Sequence, residues 1–354
     1  MIKSKCVIAA ILLSTTLTGA AQPAAGFFQL EGQAPKLFAN RDYEKLNALY
    51  QEISAIQERD KNGEARLEKF FQTFADNSFN HGMPPSTDLV AVGIDWVSTY
   101  PDSVAAAVYL GRVTGNAVRR IIHLDRTKPG ATENWAIQEG MINKALVQLE
   151  RVRTQGATDA MWHATYLTLI SLNGATSQRK LRAYSDALAK IPNPASDFFQ
   201  SATNALDLRE TKAFPELREM AALAAAKTSV REGMSMYAVV YITAIQSTYD
   251  LKVAPFGRNG ANWPIMDTAL SDLYQRYPSQ DTQNLHPILA CLAKDKARTA
   301  QLLLKLPADK VQDIWASWPG ARQLYERCKG WALGPFKPTP TPQPGQEDDK
   351  LAMR

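Results

Sequence analysis

Asp272-Leu-Tyr-Gln-Arg-Tyr277-Pro278 is one of four copies of the same pattern in the chain. In each copy an Asp is followed five positions later by a bulky apolar residue and then at once by a proline. The other copies begin at Asp95, Asp186 and Asp313. The first three copies begin about two units of 43 residues apart from one another, and the last begins about one unit after the third. A unit of about 43 residues is typical of stacked helical hairpins. The recurrence therefore predicts an architecture and not a reaction.

The proline of each copy predicts where a helix ends. Its ring disfavours helical backbone at the preceding residue, and it offers no N–H to the helix. The apolar residue before it, such as Tyr100 or Tyr277, is then placed to pack between one helix and the next. The repeated Asp lies late in its helix, where the macrodipole disfavours a negative charge. Two interpretations of this Asp stay open, a bond to a neighbouring hairpin and a coincidence.

Apolar residues recur at helical spacing along nearly the whole chain. Leu46, Leu49, Tyr50 and Ile53 share one face of a helix that begins near Asp42. Asn-Gly and Asn-Pro pairs separate such segments, and no alternating strand pattern of useful length occurs. The predicted fold class is all-α, an array of antiparallel helical hairpins like a tetratricopeptide solenoid, stabilised by the stacking of neighbours.

The two ends of the chain differ in composition from the helical region. Lys3 and Lys5 precede an apolar run at 6–17, and small residues follow up to Ala21, which is the pattern of a secretory signal peptide. The proline-rich stretch from Gly334 cannot pack as helix or strand. The predicted organisation is a signal peptide (1–21), a flexible segment (22–35), a helical-repeat domain (36–332, with possible halves near 36–228 and 229–332) and a disordered tail (333–354).

A cleaved signal peptide predicts a periplasmic or secreted protein with no stable membrane insertion. The formal charge is +5, and it falls by two when the lysines of the signal peptide are removed. Such a mild excess does not indicate nucleic-acid binding, because the basic residues are scattered. The densest basic pairs, Arg119-Arg120 and Arg179-Lys180, suit solvated helix faces.

Cleavage of the signal leaves two cysteines, Cys291 and Cys328. In an oxidising compartment two cysteines usually form one disulfide. The bond would close a loop of about 38 residues and stabilise the fold by about 3–4 kcal/mol on the chain-entropy model. Two buried free thiols, or one reactive thiol, are the alternatives.

Two blocks of the chain are similar to a known family. One is Trp96-Val-Ser-Thr-Tyr-Pro101-Asp-Ser103, and the other joins Leu273-Tyr-Gln-Arg-Tyr-Pro278 to Ala290-Cys291-Leu-Ala293-Lys-Asp295. Together they resemble an uncharacterised bacterial domain-of-unknown-function family with a tetratricopeptide-like helical-repeat fold. That family usually carries a Trp–basic–Gly element where this chain has Gly111-Arg-Val-Thr-Gly-Asn-Ala117. The resemblance implies the fold over most of residues 36–332 and no assigned activity.

Few residues are spaced for catalysis. Ser177-Gln-Arg-Lys180 has the Ser-x-x-Lys spacing of penicillin-recognising enzymes, but the companion motifs are absent. A solvated helix start with Ser177 as its cap fits the segment better. His123 with Asp125, and Trp162 with His163, are two pairs that could line a groove, but a lone histidine on a helix is more often simply packed or exposed. No two histidines have the spacing of a zinc pair, so we expect neither a metal nor a cofactor.

The aromatic residue best placed for binding is Trp135, which follows the loop 128–134. Core packing is the commoner fate of a tryptophan, although exposed tryptophans often anchor interfaces. Arg119, Arg120 and His123 precede that loop. These three residues and Trp135 form the predicted binding surface.

The composition and motifs favour binding over catalysis. The hypothesis is an exported, non-catalytic helical-repeat protein that binds another protein or a peptide, as a scaffold or a neutralising, immunity-type partner. The alternative is a hydrolase that acts on cell-wall material, with Ser177 and Lys180 or His123 and Asp125 as its site.

Overall fold

The computed structural model describes residues 33–56, 59, 65–76, 88–125, 135–192, 194, 196–206, 213–248, 256, 260–278, 280–306 and 321–334. Within these ranges the secondary structure is helical, so the all-α class is confirmed. The signal peptide, the Asp313 copy of the repeat and the tail beyond residue 334 lie outside the described residues. The helices are α1 (Ala34–Ala39), α2 (Tyr43–Ser54), α3 (Arg66–Phe71, followed by a π-helical turn Gln72–Asp76), α4 (Leu89–Thr99), α5 (Val104–Asp125), α6 (Trp135–Arg151), α7 (Ala160–Leu172), α8 (Ser177–Lys190), α9 (Ser196–Asn204), α10 (Phe214–Glu232), α11 (Ser235–Thr248), α12 (Trp263–Arg276), α13 (Gln280–Leu292), α14 (Lys296–Lys305) and α15 (Ala321–Leu333).

Polar side chains cap the N-termini of helices where the sequence offers Asp, Asn or Thr. At α2, Asp42 accepts the N–H of Lys45 at 3.3 Å, which confirms the predicted start of this helix. At α8 the cap is Thr176, which accepts the N–H of Arg179 at 3.3 Å. The cap therefore lies one residue before Ser177, the residue that the sequence suggested. Such a cap typically stabilises a protein by about 1 kcal/mol.

Two copies of the repeated pattern end their helices with the same backbone geometry. Tyr100 has φ −129° and ψ 73° after α4, and Tyr277 has φ −129° and ψ 80° after α12. Ile191, at the corresponding position after α8, has φ −74° and ψ 118°. The two Tyr-Pro corners are therefore alike, and the third copy has diverged from them.

The repeated Asp bonds a turn between two other helices in the same two copies. On α4, a carboxylate oxygen of Asp95 accepts from the Tyr43 hydroxyl at 2.8 Å and from the Arg41 guanidinium at 3.2 Å, at the α1–α2 turn. On α12, Asp272 accepts the N–H of Met234 at 2.7 Å, at the α10–α11 turn. Each carboxylate therefore binds a turn that contains one residue with a positive φ. This residue is Arg41, with φ 55°, in the first turn and Gly233, with φ 56°, in the second.

Helices pack mainly on their neighbours along the chain. α4 packs on α5, α10 on α11, α11 on α12 and α13 on α14. Helices two apart also meet, since α5 packs on α7, α7 on α9 and α9 on α11. One buried core runs through these contacts, and it begins at a ring cluster of Phe38, Phe74, Trp96 and Tyr109.

A buried ion pair joins residues that are distant in the sequence. The guanidinium Nε of Arg59 lies 3.5 Å from a carboxylate oxygen of Glu232, and both side chains are almost fully buried. Tyr277 donates its hydroxyl hydrogen to the same carboxylate at 3.0 Å. The end of α10 is therefore linked both to the chain before α3 and to the corner after α12.

The predicted cysteine pair is confirmed at disulfide distance. Cys291 on α13 and Cys328 on α15 have sulfur atoms 2.01 Å apart and Cα atoms 5.8 Å apart. The pair joins the last described helix to the packed α13–α14 hairpin. No helix in the described ranges combines the length and the apolar character that a membrane crossing needs.

Candidate functional site

A groove of about 660 Å³ lies between α7, α8 and the turn that precedes α7. We call it the α7–α8 groove. Its position follows from local signals: Asp159 caps α7 by accepting the N–H groups of Met161 and Trp162, and Thr176 caps α8. The short turn between these helices contains Gly174, whose φ of 74° suits a residue without a side chain.

Aromatic rings form the floor of the α7–α8 groove. Trp162 is 2% exposed, and its indole N–H donates to the Leu149 carbonyl at 3.0 Å. Tyr166 lies parallel to it, with the ring centroids 5.3 Å apart and the planes at 6°. The hydrogen bond to Leu149 fixes the Trp162 ring, on which the half-buried Tyr166 ring is stacked. Tyr166 therefore presents a rigid apolar surface to the groove. Trp162 and His163 both line this groove, so the structure places them as the less favoured of the two sequence interpretations had them.

His163 lies on the same floor as a neutral ring. Its Nε2 is 2.9 Å from the Ala157 carbonyl oxygen, so this nitrogen carries the hydrogen and donates it. Burial lowers the pKa of His163 below its usual range, and the hydrogen bond to Ala157 opposes this shift. Lys190 and Arg153 lower the pKa further. His163 therefore forms part of the floor of the groove and adds no positive charge there near neutral pH.

The rim of the α7–α8 groove is basic. Arg153, Arg179, Arg182 and Lys190 line it, with Asp186 as its acidic residue among the described ones. Arg153 pairs with Glu150 on α6 at 3.2 Å. Within the described ranges, the side chains of Arg179, Arg182, Lys190 and Asp186 have no hydrogen bond or ion pair. Arg179, Arg182 and Lys190 therefore bring positive charge to the rim that no ion pair in those ranges neutralises.

The charges on α8 follow one face of the helix. The charged positions 179, 182, 186 and 190 all line the groove and are spaced three or four residues apart. From the first to the last of them the helix rises about 16 Å. An extended peptide covers that distance with about five residues.

The predicted binding surface lies elsewhere on the molecule. Trp135, the first residue of α6, is 43% exposed. Arg119 and Arg120 are exposed on α5, and Arg119 donates to the Thr168 hydroxyl at 3.4 Å. None of these three residues lines the α7–α8 groove. The side chain of His123 lies outside the described part of the chain, as does that of Asp125.

Ser177 and Lys180 do not form a hydrogen-bonded pair. Lys180 donates from Nζ to the Ala205 carbonyl oxygen, and the Ser177 hydroxyl has no hydrogen bond within the described ranges. Both residues line a cavity of only about 10 Å³. A serine activated by this lysine would need a hydrogen bond between the two side chains, and a substrate would need more room.

A second cavity, of about 310 Å³, lies beside a buried carboxyl group. Asp159 accepts from the Tyr50 hydroxyl and from the N–H groups of Met161 and Trp162. Burial raises the pKa of Asp159, while these three hydrogen bonds oppose the rise. The carboxyl group thus joins α2 to the start of α7, and its oxygens are already engaged by the fold.

A charged cluster joins α12, α13 and α14. His286 Nε2 and Arg298 Nε lie 2.6 and 2.7 Å from the same oxygen of Asp267. The nearby hydroxyl of Ser271 donates to the Asp267 carbonyl at 2.7 Å and is not directed at His286. The cluster is therefore a packing contact between three helices. In the described ranges, no three His, Cys, Asp or Glu side chains are grouped to hold a metal ion.

Comparison with known proteins assigns no family. No family model matches the chain, and neither does any curated protein or solved structure. The resemblance carried by the two quoted blocks therefore stays a prediction. The groove and its charges are the features that bear on function.

Proposed function

We propose that the chain is an exported, non-catalytic helical-repeat protein that binds an acidic peptide segment of another protein in the α7–α8 groove. The observation that carries the proposal is the row of basic side chains on α8 above a stacked aromatic floor. A scaffold or a neutralising, immunity-type partner would use such a groove without performing chemistry.

The charges of the groove favour an anionic occupant. Arg179, Arg182 and Lys190 have no carboxylate partner within the described ranges, so binding an acidic segment would break no existing ion pair. Each exposed pair contributes only about 0.2–1 kcal/mol. Affinity therefore has to come from several contacts together, and it should weaken as salt screens them.

The shape of the groove favours an extended chain. Its length along α8 matches about five residues of extended peptide. The half-buried face of Tyr166 offers an apolar contact for a side chain of such a peptide. Because Trp162 holds this ring in place, little conformational entropy is lost when the contact forms.

The arrangement of the helices supports a tetratricopeptide-like array as the scaffold for this groove. Helices that follow one another in the chain pack together, and α5, α7, α9 and α11 meet in succession, as in such an array. Two Tyr-Pro corners with one backbone geometry support a common ancestral hairpin. Export to the periplasm is supported by the apolar N-terminal segment and by the cysteine pair at disulfide distance.

The test is a titration of the oxidised mature chain with fluorescent hexaglutamate, at low and at high salt. The double variant Arg179→Glu/Arg182→Glu should bind about tenfold more weakly, because two attractions become repulsions. Arg231→Glu is the matched control, since Arg231 is exposed on α10 and does not line the groove.

Equal binding by the wild type and the double variant would overturn the proposal. So would hexalysine that binds as tightly as hexaglutamate. Degradation of cell-wall material by the wild type but not by Ser177→Ala would replace the proposal with the hydrolase alternative.

A further inference from the structure

We propose that the α7–α8 groove selects peptides in which a basic residue stands between two acidic ones, each separated from it by one residue. The inference rests on the proposed function and adds the side-chain pattern that the groove recognises. The observation behind it is that Asp186 lies between Arg182 and Lys190 on the groove face of α8.

The spacing on α8 matches the spacing of an extended peptide. Arg182, Asp186 and Lys190 are each four residues apart, so successive charges are about 6 Å apart along the helix axis. In an extended peptide the side chains on one face recur every second residue, about 6.6 Å apart. A peptide lying along α8 therefore brings alternate side chains opposite these three charges in turn.

The sign of each charge sets the pattern of the peptide. Arg182 and Lys190 attract acidic side chains, whereas Asp186 attracts a basic one and repels a third acidic one. Arg179, one turn before Arg182, extends the preference for acidic residues at that end. The pattern opposite Arg182, Asp186 and Lys190 reads the same in both directions, so at these three positions it does not depend on which way the peptide runs.

Asp186 has none of the structural contacts that its counterparts have. Asp95 and Asp272, at the same position of the repeated pattern, hold the turns of neighbouring hairpins. Asp186 is exposed, lines the groove and has no hydrogen bond or ion pair in the described ranges. The corner that follows it has also diverged, with Ile191 in place of the tyrosine. This carboxylate is therefore available to a ligand.

The test compares three capped pentapeptides that differ only at the centre: Glu-Ala-Lys-Ala-Glu, Glu-Ala-Ala-Ala-Glu and Glu-Ala-Glu-Ala-Glu. The wild type should bind the Lys-centred peptide about fivefold more tightly than the Glu-centred one. General attraction to a basic rim would give the opposite order, because the Glu-centred peptide carries the larger negative charge. Asp186→Lys should reverse the order in which the peptides bind.

Glu219→Lys is the matched control, since it makes the same charge change at an exposed site of α10 away from the groove. It should keep the wild-type order, and circular dichroism should show that both variants are folded.

The outcomes separate the inference from the proposed function. If the Glu-centred peptide binds tightest and Asp186→Lys leaves the order unchanged, the inference is wrong and the groove is a general anion site. If none of the peptides binds, or if the Arg179→Glu/Arg182→Glu variant binds them as tightly as the wild type does, the proposed function itself is wrong.

Discussion

A methyl group placed on Gly111 would lie 2.4 Å from Cγ2 of Thr165. Gly111 on α5 therefore sets how closely α5 approaches α7, the helix that carries the floor of the α7–α8 groove. The glycine therefore allows α5 and α7 to pack closely, and any larger residue has to displace the Thr165 side chain or α7 itself.

Gly111→Ala should destabilise the protein by about 1–3 kcal/mol, because the added carbon overpacks the α5–α7 contact. Gly140→Ala is the matched control, since a side-chain carbon there meets nothing within 4 Å. That control should stabilise the protein by about 0.5–1 kcal/mol, because alanine favours helix. Urea unfolding of both variants checks the pair, and equal effects would contradict the tight contact.

Asp272→Ala should lower the free energy of unfolding by about 1–3 kcal/mol. The substitution leaves the N–H of Met234 without its acceptor at the α10–α11 turn. Asp186→Ala, in the copy of the pattern without such a bond, should cost less than about 0.5 kcal/mol. If thermal or urea unfolding gave the two variants equal losses, the structural role assigned to Asp272 would be wrong.

The stability of the chain should fall as the pH is lowered through the range in which His163 titrates. Burial lowers the pKa of His163 in the folded chain below the usual value of 6.5, so the unfolded chain binds more protons there. The stability that the neutral ring contributes is therefore present above the usual pKa and lost as the pH falls through the folded pKa. His163→Gln should flatten this part of the pH dependence, measured by urea unfolding. Parallel curves for the two proteins would refute the assignment.

The mature protein should contain no titratable thiol until it is reduced, because Cys291 and Cys328 lie at disulfide distance. Reduction should lower the free energy of unfolding by at most about 3–4 kcal/mol, the value expected for a loop of this length. The Cys291→Ser/Cys328→Ser variant should unfold at the same urea concentration with and without reductant. Two reactive thiols in the denatured, unreduced protein would contradict the pairing.

The sequence predicted those features that depend on near neighbours in the chain. The all-α class, the helix start near Asp42 and the Tyr-Pro corners follow from spacing and backbone restrictions within a few residues. The cysteine pair followed from a count. The bonds of Asp95 and Asp272 were left open, because their partners lie at turns between other helices, far away in the sequence.

Most residues of the groove were not predicted from the sequence, because the groove forms only when two helices pack together. Arg179 and Arg182 look like an ordinary solvated face of α8 until α7 is packed beside them. Tyr50 and Asp159 are 109 positions apart, and no spacing rule joins such a pair. The sequence did contain one signal for the groove: a stripe of charged residues at three- and four-residue intervals along α8, which includes Asp186.

The location of a bound acidic peptide is the most direct test of the proposed function. A glutamate-rich peptide with a photoreactive benzoylphenylalanine, crosslinked to the oxidised mature chain and mapped by mass spectrometry, reports which surface it contacts. Crosslinks should fall on α7 and α8, at residues such as Tyr166 and Ala183, and excess unlabelled hexaglutamate should remove them. Crosslinks concentrated around Trp135 on α6, or scattered over the surface, would show that the α7–α8 groove is not the binding site.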